Sequence, residues 1–347
     1  MKCIHIRFNK KFLWAIPVIL VILASFTIAS YWPSTRDAMK RSIAIIEYKS
    51  YYRITTNKKD TLYFDNLNED TVMNVLSSDC KHLGAKRYTT GCWINKYAII
   101  PSCFGKLLMV ANDGNTDSVK RVTESNFNAI LYKEKDKISK DLKDLKDESD
   151  DLSYYIRVHG VQDEGYDNIS QFATKTEEKI KNAQKTIALL NSIKTSDHIS
   201  IESLTDYQII YRDDNNKLNT EHCHQIVANG KSGFRMIQTD SRKTPEYARP
   251  QHFHHLWAWL ERKGRTIFIA NYSGINDESF DYKKTNSDIT AGILKEFLGN
   301  KAAHTVNYSF SQDGSPVFSK YGFFLGVSYH GEVINTRQFY FLFKKLK

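Results

Sequence analysis

The sequence predicts a mainly β protein, interrupted by an antiparallel α-helical hairpin and preceded by one transmembrane helix. Three observations carry this reading. Strand-like runs rich in β-branched and aromatic residues recur from Ser42 to about Ala111 and again from Ile199 to the C-terminus. Between them Leu131, Ile138, Leu145 and Leu152 fall seven residues apart among Lys, Asp and Glu, with Leu142 at the intermediate position, which is helical periodicity. Residues Phe12 to Tyr31 contain no charge, a length that crosses a hydrocarbon core as a helix.

The anchor sets the expected topology. Lys2, Arg7, Lys10 and Lys11 precede it, so residues 1–11 read as a cytoplasmic tail, 12–31 as the membrane span and the body as extracytoplasmic, although Arg36, Lys40 and Arg41 weaken the asymmetry. A cleaved signal peptide ending near Thr27-Ile28-Ala29 is the rival reading. The apolar run is longer than a usual signal-peptide core, which favours the uncleaved anchor.

The body is a folded one, with 41% hydrophobic and 13% aromatic residues. The net charge of +10 comes largely from dispersed lysines, with no basic helix or recognisable nucleic-acid module, so nucleic acid is not an expected partner. Of five cysteines, Cys3 falls on the cytoplasmic side. Cys80, Cys92, Cys103 and Cys223 fall in the body, where one or two disulfides in any of three pairings are open, as is a free buried thiol at Cys103.

Along the chain, Ser42 to Ile54 is a first strand, and Asn112-Asp113-Gly114-Asn115 a turn. A second helical stripe follows the first, with Ile169, Phe172, Ala173, Ile180, Ala183, Ile187 and Leu190, and Gly160 to Gly165 makes the bend between the two. Such a stripe is the ordinary seam between two helices, and the charge run Lys133 to Asp151 the ordinary solvated face. Strands resume at Ile199 to Arg212, turn at Asp213-Asp214-Asn215-Asn216, and include Thr266 to Ala270 and the closing run Phe339 to Phe343. The segment Ile289 to Gly299 fits a short strand or a helix.

The segment Ser311-Gln312-Asp313-Gly314-Ser315-Pro316-Val317-Phe318, led by Ala303 to Phe310 and followed by Phe323 to Val327, carries the functional signal. By itself Asp-Gly-Ser-Pro is a common turn. It resembles the nucleophile loop of the trypsin/chymotrypsin-like serine proteases, G-x-S-G-x-P-V-F, with Asp313 in the place of serine. Two upstream segments fit the same resemblance in the same order. Gly91 to Cys103 resembles the strand pair leading to the family's histidine, with Cys103 in its place. Gly233 to Thr239, then Lys243-Thr244-Pro245-Glu246, resembles the strand opened by the family's aspartate, with Gly233 in its place.

This resemblance implies a chymotrypsin-like double β-barrel: residues 42–124 as the first barrel, 125–195 as a helical hairpin inserted in a surface loop, and 196–347 as the remaining first-barrel strands and the second barrel. It also implies the loss of the chemistry. A carboxylate has no proton for a base to remove, a thiol is a poor general base at neutral pH, and glycine has no side chain. Ser311 replaces a family glycine and Asp313 puts negative charge beside the oxyanion pocket. No residue is assigned a catalytic role; Cys103, Gly233 and Asp313 are degenerate triad positions, with Ser311, Gly314, Ser315 and Pro316 completing the loop.

Other chemistry is less supported. His222-Cys223-His224 and His252, His254 and His255 near Trp257 and Trp259 lack the spacing of a metal motif, so neither metal nor cofactor is expected. His304 lies on the lead-in strand, where it is not the family's base. The expectation is a membrane-anchored, non-catalytic module binding a peptide or protein, with an active hydrolase of rearranged site and an unrelated β-rich envelope interaction protein as alternatives.

Overall fold

A computed structural model describes residues 33–339 except 57–60, 68–72, 82, 96–105, 111–115, 194–198, 229–233, 253–262, 276, 278, 299–300 and 308–311. In chain order the elements are α1 (Arg36–Lys40), β1 (Ile43–Thr56), β2 (Thr61–Phe64), β3 (Arg87–Asn95), β4 (Lys106–Val110), α2 (Thr116–Val158) and α3 (Tyr166–Ser192). There follow β5 (Ile199–Arg212), β6 (Leu218–Ala228), β7 (Phe234–Thr239), β8 (Gln251–His252), β9 (Thr266–Tyr272), β10 (Ser287–Leu298), β11 (Lys301–His304), β12 (Pro316–Ser319), β13 (Phe324–Tyr329) and β14 (Glu332–Asn335). A 3-10 turn, Thr336–Phe339, ends the described chain where a closing strand is expected from Phe339 onward.

Two compact units emerge. The first comprises residues up to Tyr48, Arg87–Asn112 and Tyr207 onward; the second comprises Lys49–Lys86 and Asp113–Asp206. In the first unit β10, β11, β14, β13, β12 and β9 close into a six-stranded barrel. Its walls approach so tightly that a Cβ on Gly326 would lie 2.0 Å from the Ile334 carbonyl oxygen, which no side chain tolerates. The other eight strands form one sheet in the order β2, β1, β5, β6, β7, β4, β3, β8, and β3 pairs back to β1, so that the six strands from β1 to β3 in that order make a second ring. Ile289 to Leu298 is therefore strand, within β10, and Gly299 lies outside the described residues.

Period-2 alternation explains these strands only in part. All of Ile43 to Tyr48 is buried on β1, so its continuous β-branched run packs on both faces. The first-unit core joins Ile43, Ile45, Cys92 and Ile94 with Phe234, Phe318, Phe324 and Phe339, and Phe234 meets Phe339 edge to face at 4.7 Å.

The second unit is built on the helical hairpin. Residue Asn126 leaves helical geometry (φ −115°, ψ 15°), so the expected start at Ser125 falls at a kink and the helix itself extends back to Thr116. Phe127, Ile130, Leu131 and Ile138 of α2 pack with Leu190 and with Ile54, Leu62 and Phe64. Phe172 is a correction: it stands 43% exposed, while Thr176 and Thr186 are buried. The seam runs through Ile169, Ala173, Thr176 and Ile180, and Phe172 falls one residue off that stripe.

Cys80, Cys92 and Cys223 are free thiols, so none of the pairings among these three is formed. Cys92 and Cys223 lie in different core clusters, which keeps them apart. Burial pushes both thiols well above the ordinary range. Among the described residues no helix is long and apolar enough to cross a membrane; Phe12 to Tyr31 lie outside the described residues.

Candidate functional site

The loop before β12 is a tight turn in the first unit. Gly314 takes φ 91°, its N–H donates to the Ser328 carbonyl at 3.0 Å, and the Ser315 N–H donates to the Gln312 carbonyl at 3.0 Å. Glycine suits this left-handed position because it has no Cβ.

Asp313 is turned into its own barrel. One carboxylate oxygen accepts the His330 backbone N–H at 2.7 Å, and the other lies 3.6 Å from Nδ1 of the same histidine, with only 12% of the Asp313 side chain exposed. His330 (φ 49°) and Gly331 (φ 77°) form the tight β13–β14 turn that this carboxylate holds. Its backbone is held as well, since the Thr89 hydroxyl of β3 donates to the Asp313 carbonyl at 2.9 Å. Asp313 thus acts as a charged cap on a turn.

A polar cluster surrounds it. Burial raises the Tyr48 pKa, with Arg87 and Arg235 acting against the rise and Asp313 adding to it. Tyr329 is likewise raised by burial and by Asp313, opposed by Lys301. The Tyr88 hydroxyl donates to Glu47 at 3.2 Å, and burial followed by that carboxylate pushes its pKa up to about 12. Arg235, on β7 two residues after Gly233, donates to the Tyr207 hydroxyl at 3.1 Å and to Gln225 Oε1. Burial lowers its pKa. Sequence reasoning missed Arg235, Tyr48, Arg87 and His330. A lone charged residue inside an apolar strand was the available signal at Arg235.

Of the sequence-predicted positions, Asp313, Gly314, Ser315 and Pro316 are placed as one loop, while Cys103, Gly233 and Ser311 lie outside the described residues. β3 pairs with Lys106–Val110, Gly91 facing Met109 and Trp93 facing Leu107, while residues 96–105 of the expected strand pair lie outside the described residues. On its other side β4 pairs with β7, Val110 facing Phe234 and Lys106 facing Gln238.

Neither Ser315 nor His304 pairs with a side chain among the described residues. The Ser315 hydroxyl is buried without a hydrogen-bond partner there, and so are both ring nitrogens of His304. His304 sits on β11 opposite Leu294, and burial lowers its pKa against the opposing effect of the Val306 backbone carbonyl. His222 and His224 flank Cys223 on β6, where the His224 ring lies 3.1 Å from Asp240; His254 and His255 lie outside the described residues. Among the described residues no three His, Cys, Asp or Glu side chains gather as a metal site.

No family model matches the sequence. No curated protein matches it either. Solved structures to which the chain is similar include "Crystal structure of Deg5", at 8% identity over 91% of this chain and 90% of that one, with a TM-score of 0.37. "Structure of GrC" is similar at 8% identity over 90% and 96% of the two chains, TM-score 0.37. The MamO protease domain from Magnetospirillum magneticum (apo form) is similar at 9% identity over 40% and 75%, TM-score 0.28.

Proposed function

We propose that this chain is a membrane-anchored, trypsin-like protein that has lost the Ser-His-Asp triad and serves as a non-catalytic peptide- or protein-binding module, with its N-terminus cytoplasmic and its body outside the cytoplasm. The observation that carries the reading is the state of Asp313. The group standing at the nucleophile position is a carboxylate that caps the His330 N–H at 2.7 Å, so it neither attacks a carbonyl nor faces one. Two rings of six strands agree with a double-barrel chymotrypsin-like architecture.

The base position supports the same reading, since the sequence resemblance puts Cys103 there and a thiol is a poor general base at neutral pH. What the Asp313 cluster offers is recognition chemistry: the half-buried guanidinium of Arg235, the phenol of Tyr329 and the backbone of a rigid turn.

The test is selection of peptides from a displayed random library on the full-length chain, followed by calorimetry with the wild type and with Arg235→Met. The reading expects bound, uncleaved peptides whose affinity falls roughly tenfold or more in the variant, the scale of removing a partly desolvated charge. Equal binding by both proteins would remove the cleft from the account. Extraction of membranes at alkaline pH checks the anchor: the full-length chain stays in the pellet, and recovery in the supernatant contradicts it.

A further inference from the structure

A second feature of the first unit is a groove where β5 turns into β6. It consists of two adjoining cavities, about 300 Å³ and about 360 Å³, that share Tyr211, Asp213, Asp214 and Tyr247 as walls. None of the residues of the Asp313 cluster lines it. Arg212 at the groove and Tyr207 beside Arg235 are five residues apart on β5, roughly 16 Å at the rise of an extended strand.

The walls are aromatic and fixed. Tyr211 and Tyr247 stack at 5.3 Å with 11° between their planes. Tyr272 is anchored by its hydroxyl to the Ile43 carbonyl at 3.4 Å, and Tyr282 tilts against Tyr88 at 6.1 Å. Ile45, Ile210 and Leu218 complete the apolar lining. The Tyr247 hydroxyl is buried in the core, so its ring, not its oxygen, faces the space.

Most of the charges at the rim are already engaged by the protein; Lys40 lies 3.8 Å from Asp288, and Glu246 lines the second cavity. Arg41 is paired with Asp37 and with Asp214, both at 2.8 Å. Arg212 donates to the Asn216 and Lys283 carbonyls. Asp213 accepts the Asn215 and Lys217 backbone N–H groups and the Asn219 amide. Asn216, Asn286 and Ser287 add neutral polar groups, and among the described residues nothing hydrogen-bonds to the side-chain amides of Asn216 and Asn286.

This balance selects a ligand class. A charged ligand would have to separate a formed ion pair, and a wholly apolar one would strip water from the rim amides without replacing its hydrogen bonds. A molecule with flat C–H faces and a periphery of hydroxyl groups satisfies both the aromatic walls and the amides. Two adjoining cavities accommodate more than one ring. We propose that this groove binds an uncharged oligosaccharide. The inference is independent of the cleft reading, and either can fail without the other.

The test is titration of the full-length chain with cellotetraose, maltotetraose and chitotetraose, read by calorimetry. The expected result is binding of at least one of them with a dissociation constant on the order of 1 mM or tighter. Tyr282→Ala and the exposed-site variant Asn286→Ala should each weaken it roughly tenfold. The Asn286→Ala protein should keep the wild-type unfolding midpoint, which separates a lost contact from a lost fold. Absence of binding by all three sugars at about 10 mM overturns the proposal, as does binding that neither variant changes. So does binding of penta-alanine that the same variants abolish, which would mark a peptide groove.

Discussion

The Asp313 turn and the tyrosine groove belong to the same unit, and their polar groups are used in opposite ways. At the turn, the Asp313 carboxylate is consumed by backbone 17 residues away, at 12% exposure. At the groove, ion pairs neutralise the rim while amides and aromatic faces stay open. The first arrangement stabilises a loop; the second leaves a surface with unspent hydrogen-bonding capacity. The lesson is that one unit can spend a carboxylate on holding a turn and still keep neutral polar groups at its surface.

The largest expected effect comes from removing what lies beneath the turn. Phe318 is fully buried on β12, and Phe318→Ala should cost about 3–5 kcal/mol in urea unfolding and should loosen the turn before the groove. A loss under about 1 kcal/mol would show that the barrel wall repacks. Next is the turn itself. Asp313→Ala deletes the acceptor of the His330 N–H and should destabilise by about 1–3 kcal/mol, with Asp313→Asn recovering part of that. Asp313→Ser should be destabilised as well and should gain no endopeptidase activity, because a hydroxyl without a base remains unactivated; turnover by that variant would reveal an intact base nearby.

Smaller is a pH effect at His304. Its pKa is lowered by burial from the usual 6.5, so above pH 6.5 the ring is neutral in both folded and unfolded chains. As pH falls below that value the unfolded chain takes a proton that the folded one refuses, and stability is lost down to the folded pKa. The unfolding midpoint of His304→Gln should therefore fall less steeply than that of the wild type between pH 7 and pH 5. Parallel slopes would place the titration elsewhere. The smallest effect is at the groove rim, where Arg41→Ala breaks two half-exposed pairs and should cost no more than about 1 kcal/mol, less at high salt.

Local signals were legible where the residues that make an element also bound it. Ile199 to Arg212 is β-branched and aromatic, is followed by Asp213-Asp214-Asn215-Asn216, and forms β5 with those limits. The bend at Gly160 to Gly165 likewise separates the two helices. The Asp313 loop was found as a turn leading into a strand. What it does was not legible, because its partner His330 comes from the β13–β14 turn and is brought near by the register in which β12 pairs with β13. The pairing of β3 with Lys106–Val110 was not legible, because that run lies beyond the family-like pattern of Gly91 to Cys103. The groove was invisible for a similar reason: Tyr211, Tyr247, Tyr272 and Tyr282 lie on separate segments and share no periodicity.

The most direct test of the central claim is incubation of the full-length chain with a proteome-derived peptide library, with new termini counted by mass spectrometry. The account predicts that peptides are retained on the protein and emerge unchanged. New termini that disappear in Ser315→Ala or Cys103→Ala would contradict it and identify the nucleophile.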